Sequence, residues 1–184
     1  MLAILNDIIN YLKAPNCTHL EKLTIKDKVI IVAYSLIISL FIGFFLAIII
    51  GLTALITGLD IGKHASNDLF ENYTPTMIVF LAAIAAPIIE ELIFRAPIRL
   101  FYKFRSSFKY IFYGFAIVFG YIHILNYETT MGVLMASPIL VAPQICLGLI
   151  LGYLRVKLGL IYSILLHMLY NACIIIPSVL FLKF

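Results

Sequence analysis

The stretch APIIEELIFRAPI, residues 86–98, decides how this chain is read. It sets Glu90, Glu91 and Arg95 into a run that otherwise suits lipid. The surroundings are of the same kind. Of 184 residues, 64% are hydrophobic and 12% charged, and the mean hydropathy is +1.11. A soluble domain is about 45–50% apolar and about 25% charged. The composition therefore predicts an all-α, polytopic transmembrane helical bundle. The net charge of +4 does not point to nucleic acid, because most basic residues fall between apolar runs, where they set membrane orientation.

A spanning helix needs about 20 mostly apolar residues. Five segments qualify: about 29–56, 76–100, 108–125, 131–154 and 158–182. Pro138 and Pro143 are expected to kink the fourth, and Pro177 lies near the end of the fifth. Residues 1–28 form a separate N-terminal segment before the membrane domain, 29–184. Leu2, Leu5, Ile8, Ile9 and Leu12 recur there at helical spacing, which predicts an amphipathic interfacial helix. No basic leader region or small-residue cleavage site precedes a long apolar core, so a cleaved signal peptide is not expected. Lys13, Lys22, Lys26, Lys28, Arg95, Arg99, Lys103, Arg105, Lys109, Arg155 and Lys157 fall on one side of the five spans. Lys63 and Lys183 fall on the other. The positive-inside rule then predicts a cytoplasmic N-terminus and an outer C-terminus. Cys17, Cys146 and Cys173 form no CxxC, so neither a disulfide frame nor a cysteine metal site is expected.

A charge at membrane depth costs about 2.5–3.5 kcal/mol on insertion scales unless it is paired or faces a wet cavity. The ionisable groups within the spans are therefore candidate site residues: Glu90, Glu91 and Arg95 on the second, His123 on the third, and His167 on the fifth, joined by Asn171. His64 falls in the outer loop and is given no role. Glu91 and Arg95 lie at i, i+4 and can pair. Glu90 is turned about 100° away and needs a partner from another helix. His167 and Asn171 are also i, i+4. Three polar faces thus converge most cheaply on one interior cavity. Plainer readings stand beside this one: Glu91–Arg95 as a structural ion pair, Arg95 as a boundary anchor, His123 as an interfacial residue, and HxxxN as interhelical hydrogen bonding. Counted from the basic loops, His123 lies about fifteen residues into its span and His167 about ten. The third helix must start deeper, tilt or slide for the two to meet.

Glu90-Glu91-x-x-x-Arg95, Phe119-Gly-Tyr-Ile-His123 and His167-Met-Leu-Tyr-Asn171 resemble, in order, the three motifs of the CPBP intramembrane proteases. That family comprises CAAX endopeptidases and bacteriocin-processing or self-immunity proteins. The resemblance covers roughly 75–175, and Ala96 stands where glycine commonly follows the arginine. It implies an intramembrane endopeptidase. Glu90, partnered by His123, would activate water, and His167 and Asn171 would donate to the oxyanion. Glu91 and Arg95, with Phe119, would support the site. The expected partners are the lipid bilayer and a peptide or membrane-protein substrate, with no cofactor. Two alternatives stay open: zinc held by Glu90, His123 and His167, and a non-catalytic bacteriocin immunity protein that only binds. A small transporter or proton relay is a weaker third. The Ile- and Lys-rich composition suggests a bacterial protein, with a leader peptide, pheromone precursor or membrane protein as substrate.

Overall fold

In a computed structural model, residues 2–19, 23–59 and 64–182 are described. Lys22, Asp60, Lys63 and Lys183, and the side chain of Asp68, lie outside the described residues. Helix α1 spans Leu2–Lys13, α2 Ile25–Thr57 and α3 Ala65–Asn72. The second apolar segment runs from α4 (Pro75–Val79) through a π-helical turn (Phe80–Ala85) into α5 (Ala86–Phe94) and a 3-10 stretch (Ala96–Phe101). Next come α6 (Phe108–Ile122), a 3-10 turn (His123–Asn126), α7 (Met131–Leu140), α8 (Ala142–Lys157) and α9 (Leu160–Leu182). Five helical stretches are long and apolar enough to cross a membrane: Ile25–Thr57, Pro75–Phe101, Phe108–Asn126, Met131–Lys157 and Leu160–Phe181. The chain is an all-helical membrane protein.

Local chemistry sets the helix ends. Thr24 and Asp27 form a reciprocal capping box at the start of α2, and Gly58 closes it in the left-handed conformation at φ 66°. Thr74 and Thr130 cap α4 and α7 through their hydroxyls. In the fourth segment the predicted kink is a break at Val141, with Pro143 in the first turn of α8. A proline there removes an N–H and clashes with the carbonyl four residues back.

The second segment is not the single regular helix that hydropathy suggests. Pro87 has no N–H, and Ala86 N–H reaches back five residues to the Leu81 carbonyl. The Ala82 carbonyl thereby loses both of its possible helical donors, Ala86 and Pro87. Buried backbone acceptors must be satisfied, and in lipid no water does so.

Helix α1 packs on the bundle more than the amphipathic pattern suggests. Its buried residues are Ile8 and Tyr11, while Leu2 and Ile9 stay exposed. The Tyr11 ring meets Phe112 and Tyr153 edge to face at 5.5 and 5.4 Å, and Tyr153 donates to Asp7. An aromatic position that the aliphatic count passed over thus anchors the helix. Nearby, His19 Nδ1 lies 3.0 Å from the Val156 carbonyl.

The centre of the bundle is the contact of α6 with α8. A Cβ on Gly120 would lie 2.2 Å from Ile145 Cγ1 and 3.0 Å from its backbone nitrogen, and one on Gly152 would lie 2.7 Å from Phe112 Cε2. Close backbone approach through small residues is the standard device for packing helices in lipid. Gly148 and Gly152 form a G-x-x-x-G run. Phe108, the first residue of α6, is fully buried against Tyr102 and Phe112. The third span therefore starts inside the bundle, as the depth of His123 requires.

Gly120→Ala is expected to destabilise the protein by about 1–3 kcal/mol through overpacking against Ile145. Gly114→Ala, with nothing within 4 Å of the added carbon, should be neutral or stabilising. Thermal unfolding in detergent measures both.

Candidate active site

Glu90 and Glu91 are neighbours with opposite surroundings. The side chain of Glu91 is 0% exposed and that of Glu90 26%. Glu91 Oε1 lies 3.6 Å from Arg95 Nε and 3.1 Å from His167 Nδ1, while Oε2 accepts from the Ser163 hydroxyl. Arg95, 1% exposed, also donates to the Gly148 carbonyl at 3.2 Å. Its guanidinium stacks 4.0 Å from the centre of the Phe119 ring. Gly148 packs tightly here, since a Cβ would sit 3.0 Å from Phe119 and 3.2 Å from Arg95. Glu91 is enclosed with its partners, and Glu90 faces an open cleft.

Phe119 is the hub. Besides carrying Arg95 on its face, it meets the rings of His123 and His167 edge to face at 4.9 and 5.7 Å. Both imidazoles converge on Glu90: Oε2 lies 4.0 Å from His123 Nε2 and 3.6 Å from His167 Nε2. That oxygen is buried and has no hydrogen-bond partner among the described residues. His123 Nδ1 lies 2.8 Å from the Phe119 carbonyl. A carbonyl only accepts, so Nδ1 carries the hydrogen and the neutral ring presents a bare Nε2. Ionised Glu91 fixes His167 in the same sense, with Nδ1–H donating to Oε1. The Nε2 of His167 can then donate only as the imidazolium.

Asn171 also lines the cleft, and its Nδ2 donates to the Ala82 carbonyl at 2.9 Å. This supplies the donor lost through Pro87 and the π turn. One amide hydrogen is committed there and one is left over. All four residues expected to carry the chemistry, and the three expected to support it, are thus brought together by Pro75–Phe101, Phe108–Asn126 and α9.

The cleft has a volume of about 570 Å³. Its walls include Leu81, Ala85, Ile89, Leu147 and Ile174, with Gln144 from the start of α8. His64, given no role in the sequence, is part of this lining. It pairs with Tyr127 in an isolated antiparallel bridge and edge to face at 4.8 Å. Burial holds the His64 imidazole below its usual pKa. A larger hollow of about 1220 Å³, at the basic end near Arg99 and Arg155, contains none of the candidate residues. No group of three or more His, Cys, Asp or Glu side chains among the described residues is arranged to hold a metal ion.

Ser163 and Gln144 escaped the sequence reading, which considered His64 and gave it no role. Serine and glutamine are common in membrane helices and carry no charge to flag them. Ser163 does lie one turn before His167, a spacing that could have drawn notice.

A family model described as Rce1-like, type II CAAX prenyl endopeptidase Rce1-like, matches residues 72–173. That range holds all seven candidate residues. No curated protein and no solved structure matches the chain.

Glu91→Gln is expected to cost about 3–5 kcal/mol, because it leaves Arg95 buried without its counter-charge. Glu90→Gln should leave the melting temperature unchanged or raised, since it removes a charged acceptor that has no partner. Thermal denaturation of both variants in detergent checks the contrast.

Proposed function

We propose, from the premise that the chain belongs to the Rce1-like type II CAAX prenyl endopeptidase family, that it hydrolyses a peptide bond in a membrane-associated peptide or protein. Water is the nucleophile, and Glu90 with His123 is its base. The observation that carries this reading is the position of Glu90 Oε2, a buried acceptor without a partner, next to the bare Nε2 of His123. A water held by two acceptors gives one hydrogen to each. Proton transfer to Glu90 leaves hydroxide to attack the scissile carbonyl, and the same proton then returns to the departing amine.

The tetrahedral oxyanion needs donors. His167 serves as the imidazolium, with Glu91 behind it stabilising the charge. Asn171 offers its second amide hydrogen while the first holds Ala82. The scaffold role of Glu91 and Arg95 follows from their enclosure. The basic end of the bundle, with Arg99, Arg155 and Lys157, faces the cytoplasm under the positive-inside rule, so the C-terminus lies outside. The substrate is an uncharged apolar segment entering from the lipid, as the aliphatic walls of the cleft suit.

Peptidomics of membrane fractions from cells expressing wild type or Glu90→Gln tests the assignment. A peptide product found only with wild type is expected, and identical peptide sets would contradict it. With that product as the assay, His123→Ala should lower the rate by about 10²–10⁴-fold, and Asn171→Ala by about 10²–10³-fold. Activity should survive chelation and metal-free repurification. Loss that zinc alone restores would replace activated water with a metal mechanism.

A further inference from the structure

Three carboxamides line the cleft, those of Asn126, Gln144 and Asn171. Asn171 is committed to the Ala82 carbonyl. Gln144, in the first turn of α8, has a buried Oε1 with no hydrogen-bond partner among the described residues. It shares the cleft with Glu90, His123 and His167. A buried amide oxygen left without a donor weakens the fold, and this one belongs to a residue that lines the cleft.

We infer that Gln144 is a substrate-anchoring residue whose carboxamide hydrogen-bonds the peptide main chain beside the scissile bond. The inference rests on the reading that this cleft is where a peptide is cut. An extended peptide presents N–H and C=O groups at every residue, whatever its side chains. Gln144 Oε1 takes an N–H, and the amide NH₂ is left to meet a neighbouring carbonyl. Such contacts bind an apolar segment without selecting its side chains. They also place its carbonyl carbon over the water held by Glu90 and His123.

The test uses the full-length Glu90→Gln protein in phospholipid nanodiscs. Its probes are dye-labelled acetyl-Leu-Ala-Leu-amide and the same peptide with its backbone nitrogens methylated. Gln144→Met keeps the length of the side chain and removes both hydrogen-bonding functions. It should weaken binding of the unmodified peptide about tenfold, the loss of one hydrogen bond. It should leave binding of the methylated peptide unchanged and raise the melting temperature of the empty protein. That opposition of binding and stability is one a purely structural role would not produce. Unaltered binding of the unmodified peptide, or a lowered melting temperature, overturns the assignment. Gln144-dependent binding, combined with membrane peptides that do not differ between wild type and Glu90→Gln, would uphold the anchor and refute proteolysis.

Discussion

A buried arginine in a membrane protein needs partners, and most of this site follows from the ones Arg95 has, although its Nη1 has no hydrogen-bond partner among the described residues. Its charge is met by Glu91 one turn earlier and its NH2 group by the Gly148 carbonyl, and its flat face rests on Phe119. Each partner adds a requirement. Gly148 leaves little room for a side chain. Helix α8 must approach α6 closely, which Gly120 and Gly152 permit. Phe119 must lie beneath the guanidinium, which puts its edges against His123 and His167. Once Glu91 has taken Arg95, Ser163 and one nitrogen of His167, the facing nitrogen of that ring is aimed at Glu90. A buried ion pair of this sort is weak evidence of stability in itself. Here it fixes the directions in which the neighbouring groups point.

A second constraint is backbone accounting. Pro87 and the π turn strip the Ala82 carbonyl of its donors, and the break at Val141 opens the fourth span at membrane depth. Irregular backbone at that depth is tolerated where protein buries it or where it lines a watered cavity. Both irregularities border the same cleft. Asn171 answers the first, so a residue that lines the cleft also holds the helix that carries Glu90. Cleft lining and helix register therefore meet in one carboxamide.

Hydropathy was enough to find all five spans, because each is a long apolar run separated by charge. The cost of charge in lipid made Glu90, Glu91, Arg95, His123 and His167 stand out, and i, i+4 spacing paired Glu91 with Arg95. What spacing leaves undetermined is the rotation of a helix against neighbours it has not yet met. The two adjacent glutamates were separable in angle but not in burial, so which of them is enclosed was not legible. The π turn shifts that rotation further, and its cause, a proline within an apolar run, predicts a kink without its register. Tyr11 was passed over because the count of the N-terminal face considered aliphatic positions. His64 was set aside for lying in a loop, since contact with Tyr127 joins segments more than sixty residues apart. Gly148 and Gly152 were readable as a packing motif, and their partner helix was not.

Distances between side chains in the full-length protein in lipid bilayers test the central claim most directly. Solid-state NMR with carboxyl-labelled glutamate and ring-nitrogen-labelled histidine reads them, with Glu90→Gln assigning the signal. The account predicts dipolar contacts from the Glu90 carboxyl carbon to the Nε2 atoms of both His123 and His167, with hydrogen on Nδ1 of His123. Contacts to neither ring would contradict it.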